Sequence, residues 1–215
     1  MASELRTDLE TILEPGIASD PLDHSRQIAA IAAILHCAFQ NAGLVSTLIG
    51  GSAIEVHAPG IFASGDMDLI IEASSRQDTR PIRERASDVF ADLGFQKAGR
   101  HWTKGDLFVE VPATSLDDPA ETIHVGPFVF RVIAKEALLV DRLTGFKHWR
   151  HTSYGQQAID MIAAFGDSLD EERFAEGLRR EDVGDAYEAL RRVAISETPV
   201  TEDSLQQILS QLKPS

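Results

Sequence analysis

Cysteine is nearly absent from this sequence, which rules out two whole classes of architecture at once. Cys37 is the single cysteine, so neither an internal disulfide nor a thiolate metal cluster can form. It lies in IAAIAAILHCAFQ, an apolar helical pattern in which a free thiol is a buried core group rather than a nucleophile. Long hydrophobic runs are missing too. None approaches the roughly 18 residues that span a bilayer, so no membrane partner is expected. The opening MASELRTDLE carries acids where a secretory signal has a basic region followed by an apolar one, and the expectation is a soluble cytoplasmic protein. Basic charge is in short supply. Twenty Lys and Arg face 34 Asp and Glu, a formal charge of −14. That argues against loose polyanion binding, and a nucleic-acid partner would need a local basic patch or metal ions to offset the field. No Gly-x-Ser-x-Gly elbow, Walker lysine loop or dinucleotide glycine motif occurs, which leaves hydrolase, ATPase and Rossmann readings without a foothold.

What is present suits one domain, or one domain with a smaller appendage: 215 residues, 43% of them hydrophobic and 25% charged, close to globular averages. DHSRQIAAIAAILHCAFQNAG has apolar residues at helical spacing, a cap at Asp23 or Ser25, and Gly43 as its stop. LVSTLI is a short β-branched run that reads as a strand ending at Gly50-Gly51, followed by one or two helical turns in SAIEVHA. MDLIIEA is a second strand with Asp66 at its mouth. TRPIRERASDVFADLG is an amphipathic helix. FQKAGRHWTKG and DLFVEVP read as a strand pair around a turn at Lys104-Gly105, and TIHVGPFVFRVI as a further hairpin or strand. From Ala134 onward five stretches have helical periodicity with short joints. The expected organisation is an N-terminal extension over residues 1–24, an α+β core over 25–133 and a helical C-terminal region over 134–215.

Alternation along a strand turns Asp66 and Asp68 to one face, with Met67 on the other. Two neighbouring carboxylates repel each other. A divalent cation removes that penalty, and oxygen ligands of this kind suit Mg²⁺, which keeps water and shares phosphate oxygens with a substrate. Glu110, between Val109 and Val111, joins the cluster if its strand lies beside the first. Three carboxylates can hold two metals about 3.5–4 Å apart. Gly50 and Gly51 after a strand let the backbone approach a ligand, amides opening the next helix face an anion, and Ser52 adds a hydroxyl for a phosphate. Taken singly, a Gly-Gly is a turn and an Asp-x-Asp is a solvated strand edge. The specificity lies in their order along the chain.

That order, Ile49, Gly50, Gly51, Ser52, then Asp66-x-Asp68 among apolar neighbours and Glu110 on a later strand, resembles the DNA polymerase β-like nucleotidyltransferase superfamily. ASGDMDLII, GFQKAGRHW and LFVEVPA look more narrowly like small prokaryotic nucleotidyltransferases, with similarity to abortive-infection toxin nucleotidyltransferases. The resemblance covers roughly residues 44–149. It implies a mixed β-sheet flanked by helices, two Mg²⁺ ions held by Asp66, Asp68 and Glu110, a nucleoside triphosphate donor such as ATP, and transfer of a nucleotidyl group with release of pyrophosphate. In such enzymes the third acid helps to deprotonate the acceptor hydroxyl.

Arg142 and Lys147 head a basic-aromatic cluster running to His151, which suits gripping a triphosphate or an RNA backbone and equally suits a solvated helix end with Trp149 packed inward. Trp102 is either a stacking platform for a base or a core residue. His148 and His151 are spaced three apart but lack the other ligands of a zinc site. The acceptor stays open between RNA, a protein side chain and a small molecule, with net acidity favouring a small, often cationic, acceptor over RNA. The second function class is a non-catalytic binding or scaffold module of the same fold, or one component of a toxin–antitoxin pair. A homo-oligomer or an antitoxin partner is compatible with either.

Overall fold

The computed structural model describes residues 2–13, 21–74, 78–196 and 199–212, and the chain divides into two compact units, residues 1–134 and 135–215. The first unit is α+β. Helix α1 (Ala2–Ile12) buries Leu5 and Leu9 against α2 (Pro21–Asn41), which begins slightly earlier than the cap expected at Asp23 or Ser25. Gly43 ends α2 and the chain enters β1 (Leu44–Ile49), turns at Gly50 into α3 (Gly50–His57), and returns as β2 (Met67–Ala73). After α4 (Ile82–Asp92) come β3 (Gln96–Ala98), β4 (His101–Lys104), β5 (Leu107–Glu110), β6 (Ala120–Val125) and β7 (Phe128–Ile133).

The seven strands form one mixed sheet in the order β3-β4-β5-β2-β1-β7-β6. β1 and β2 are antiparallel neighbours at its centre. β2 runs parallel to β5, and β1 parallel to β7. The central strands carry the apolar core residues: Leu44, Leu48, Met67, Leu69, Ile71, Val109 and Val132 are all buried, and α2 packs across β1 and β7. Phe39 and Phe90 meet edge to face at 5.3 Å and lock α2 to α4 in the same core. His36 is buried in α2, and its Nδ1–H donates to the Ser46 carbonyl at 2.8 Å, tying helix to strand.

Two expectations are corrected here. FQKAGRHWTKG is not one strand but two, because Gly99-Arg100 makes a tight turn between β3 and β4. The turn between β4 and β5 falls at Gly105-Asp106, one residue later than Lys104-Gly105. Moving a two-residue turn by one position shifts the partner of every residue in the hairpin by two, so different side chains meet across the ladder while each keeps its face. The observed register pairs His101 with Glu110, where the earlier turn would have placed Phe108 opposite His101.

The second unit is helical: α5 (Lys135–Lys147), α6 (Thr152–Phe165), α7 (Glu171–Arg180), α8 (Gly184–Ala194) and α9 (Glu202–Gln211). Asp170 caps α7 by accepting from the Arg173 amide, and Thr201 with Ser204 forms a capping box on α9. Its core is built on Leu139, Leu143, Phe146, Met161 and Leu190.

Among the described residues no helix is long and apolar enough to cross a membrane.

Candidate functional site

Strand pairing decides which acids meet. In the parallel β2–β5 ladder Asp68 lies directly across from Glu110, and in the β1–β2 ladder it lies across from Ile49, the last residue before the glycine turn. Asp66 stands just before β2, and its ligand oxygen, a Glu110 oxygen and a His101 ring nitrogen lie within 4.8 Å of one another. All four side chains are partly exposed, as a site that exchanges ligands with solvent requires. Thus Asp66, Asp68 and Glu110, expected to converge, all lie at one end of the parallel β2–β5 pair, with Asp66 and Glu110 closing into one group and Asp68 across the ladder from Glu110. His101 joins them. Its signal in the sequence was the β4–β5 hairpin: counting back from a turn at Gly105-Asp106 brings His101 opposite Glu110.

The mouth of β2 is fixed from below. Ser52 is fully buried, and its hydroxyl donates to the Asp66 carbonyl at 2.8 Å, as does that of Ser64 at the same distance. Ser52 therefore holds the backbone that carries Asp66. The Ser64 amide in turn donates to Glu55 Oε1 at 2.6 Å, and His24 Nε2 lies 3.2 Å from the other Glu55 oxygen. Burial pushes the Glu55 carboxyl above its usual range, against the Ser64 bond and the His24 charge, which favour ionisation. Together these contacts tie the segment between α3 and β2 to two helices.

The two glycines also have internal reasons. Gly50 sits at φ +68°, and a Cβ there would collide with Oδ2 of Asp68. At Gly51 a Cβ would come within 2.7 Å of Phe62 and of the Ser64 hydroxyl. The turn is thus packed tightly against the Asp68 carboxylate, and the amides that open α3 start beside it. The N-cap Ile49 supplies no side-chain bond to those amides.

Glu110 is already engaged. Arg100 Nε lies 3.3 Å and His101 Nε2 3.4 Å from its Oε2, with the carboxylate only 19% exposed. The group that closes within 4.8 Å, the carboxylates of Asp66 and Glu110 with the His101 imidazole, fits a divalent cation, while Asp68 lies outside it with its Oδ2 against the Gly50 turn. Oxygens of this kind suit Mg²⁺, and the imidazole widens the choice toward Mn²⁺ or Zn²⁺. Trp102 serves the core on one face, stacking on Phe90 at 4.9 Å, while the Lys97 ammonium sits 5.3 Å over its ring.

Arg142 and Lys147 lie in the helical unit and are used within it. Lys147 is buried, donates to the Asp182 carbonyl, and lies 3.2 Å from the Asp182 and 3.0 Å from the Asp185 carboxylate. Burial would lower its pKa, but its bonds to Asp185 and Asp182 prevail and hold it above the ordinary value. Arg142 is buried, pairs with Asp141 at 3.0 Å and stacks 4.9 Å from the Tyr154 ring centre. His148 Nε2–H donates to the Glu181 carbonyl at 3.0 Å. Trp149, expected to pack inward if the helix end is merely solvated, is instead 56% exposed.

No protein-family model matches the chain, and no curated protein matches it in sequence. Among solved structures it is similar to an antigenic nucleotidyltransferase-like protein from Paracoccidioides brasiliensis, with a TM-score of 0.52 and 13% identity over 77% of this chain and 93% of that one. The fold is therefore nucleotidyltransferase-like: a seven-stranded mixed sheet flanked by helices.

Proposed function

We propose that the protein is a nucleotidyltransferase of the DNA polymerase β-like type, transferring a nucleoside monophosphate from a nucleoside triphosphate to an acceptor hydroxyl. The observation that carries this reading is the pairing of Asp68 with Glu110 across β2 and β5, with Asp66 beside them and the Gly50–Gly51 turn packed against Asp68. Asp66, Asp68 and Glu110 would hold two Mg²⁺ ions, with His101 next to Glu110. When bound, such ions neutralise phosphate charge and favour an ionised acceptor oxygen. The amides opening α3 at Gly51 and Ser52 bind the β- and γ-phosphates of the donor. Ser52 and Ser64 keep Asp66 in place while the donor exchanges. The acceptor oxygen forms a bond to the α-phosphorus, the α–β phosphoanhydride bond breaks, and pyrophosphate leaves. The hydroxyl proton passes to the Glu110 carboxylate, with His101 Nε2 3.4 Å away to stabilise it. Displacement of this kind needs positioning and charge neutralisation more than covalent chemistry from the protein. Arg142 and Lys147 take no part in this scheme.

The test is calorimetric titration with each of the four ribonucleoside triphosphates, with and without Mg²⁺, alongside Asp68→Asn. Binding of at least one triphosphate that needs both the metal and Asp68 is expected. The same substitution should abolish transfer while leaving the circular dichroism spectrum unchanged. Binding indifferent to metal and to Asp68 sinks the assignment. One observation favours the alternative, a non-catalytic module of this fold: the Arg100 guanidinium already pairs with Glu110 at 3.3 Å, which makes that carboxylate tolerable without a cation. That reading requires no triphosphate binding at all. The narrower toxin form of the enzyme is tested by growth arrest on expression, which Asp68→Asn should relieve.

A further inference from the structure

Behind Glu110 lies a cavity of about 320 Å³, lined by α4, the β3–β4 turn and the end of β5. Its charge is opposite to that of the chain. The protein as a whole carries 20 basic and 34 acidic residues, yet Arg83, Lys97 and Arg100 line this cavity against the single carboxylate of Glu110. Three cations converging on one concave surface repel each other, and they are stabilised when an anion enters. Their present partners leave donors to spare. Arg83 spends two N–H groups on long bonds of 3.4 Å to the Val111 and Pro112 carbonyls, out of the five a guanidinium carries. Lys97 rests its ammonium over the face of Trp102, a contact that leaves its N–H donors available.

The location matters as much as the charge. In the sheet order, the glycine turn that follows β1 lies on one side of β2, and this cavity lies on the other, beyond β5. Glu110 belongs to both places: it is a member of the candidate metal group and part of the cavity wall. A molecule seated in the cavity therefore approaches the carboxylates from the flank opposite the one assigned to the donor phosphates.

We infer that this cavity is the acceptor subsite and that the acceptor is a small phosphomonoester, its phosphate held by Arg83, Lys97 and Arg100 and its hydroxyl turned toward Glu110. The inference rests on the nucleotidyltransferase reading above. It replaces the cationic acceptor that net acidity alone favours, because a cation would meet three like charges here. The volume sits at the lower end of the range for small-molecule sites. Three cations around one hollow, in a chain of charge −14, do not make the extended basic stripe on which nucleic-acid binding depends. Trp102 is already stacked on Phe90 and carries the Lys97 ammonium over its ring, so it forms a wall of the cavity rather than a slot for a base.

The experiment is calorimetric titration of the full chain with ribose 5-phosphate, and with ribose as the uncharged control, in the wild type, Lys97→Gln and Arg83→Gln. Each protein is also titrated with the Mg²⁺–triphosphate that the wild type binds. Lys97 is exposed on the edge strand β3, so Lys97→Gln leaves the core untouched, and circular dichroism checks both folds. The expected result is binding of ribose 5-phosphate but not ribose, weakened about tenfold by each substitution, with triphosphate affinity unchanged. Equal affinity for ribose 5-phosphate in wild type and variants overturns the site. Loss of triphosphate binding in the variants overturns the acceptor role, since the cavity would then hold the donor. Tight binding of a 5′-phosphorylated oligonucleotide without binding of ribose 5-phosphate overturns the small-molecule assignment. A wild type that binds ribose 5-phosphate through Lys97 but no triphosphate keeps the anion site, overturns its acceptor role, and separately removes the nucleotidyltransferase reading.

Discussion

Replacing Gly50 by alanine imposes two separate costs, and they can be measured apart. The first is the backbone at φ +68°, which a side chain adopts at a cost of about 1 kcal/mol. The second is the collision of the new methyl with Oδ2 of Asp68, which must move or be displaced. Gly105, in the β4–β5 turn, has φ +58° with open space where a Cβ would go, so Gly105→Ala carries the first cost alone. Urea unfolding is expected to show Gly50→Ala losing roughly 1–3 kcal/mol, more than Gly105→Ala, and Mg²⁺-dependent triphosphate binding should fail only in the former. Equal losses with binding intact would mean that Asp68 yields freely and that the turn does not position it. At this scale the sequence was informative about the acids and glycines because their order along the chain is itself the pattern. It was silent on Ser52, whose hydroxyl was expected to meet a phosphate, since only the folded backbone reveals the Asp66 carbonyl beneath it.

Between elements, the buried bond from His36 in α2 to Ser46 in β1 makes the core sensitive to acid. Burial lowers the His36 pKa, and the Arg131 charge adds to this against the Ser46 bond, so the ring stays neutral in the folded protein. The unfolded chain takes up a proton there below about pH 6.5. The His36 contribution is therefore fully present above that value and is lost as pH falls from about 6.5 toward the depressed folded value, at no more than about 1.4 kcal/mol per pH unit. The check is the drop in urea midpoint between pH 7.5 and 5.5, expected to be larger in the wild type than in His36→Asn, which keeps a donor near the Nδ1 position. Identical drops would assign the acid sensitivity to other groups. Element by element, the sequence was read well where periodicity runs long, as in β1, β2, α4 and the five C-terminal helices. It misled around residues 96–110, where three strands of three or four residues show too few alternations to fix a register. That one-residue ambiguity hid His101.

At the scale of the whole molecule, the division after Ala134 separates two hydrophobic cores, and the first contains the entire sheet together with Asp66, Asp68, His101 and Glu110. A fragment of residues 1–134 is long enough to bury a core of its own. It is expected to unfold cooperatively in urea with a single transition seen by both circular dichroism and Trp102 fluorescence. A non-cooperative or absent transition would show that the first unit needs the helices that follow it. Periodicity along the chain foretold the mixed α+β class and the helical C-terminal stretch because those rest on many residues at once. Composition could not foretell that a chain so acidic would gather Arg83, Lys97 and Arg100 around one cavity, because residues 83, 97 and 100 become neighbours only when α4 lies beside the β3–β4 hairpin.

The fit of Gly50 against the Asp68 carboxylate has a consequence for reading descent. A side chain at position 50 costs stability and displaces the acid at position 68, so the two positions should drift together as lineages diverge. A relative that has given up the aspartate is released from half of the constraint, and an asparagine at the glycine position becomes tolerable there. Position 50 is thus a one-way fossil marker: a residue other than glycine there marks a lineage in which the carboxylate across the turn is no longer under selection.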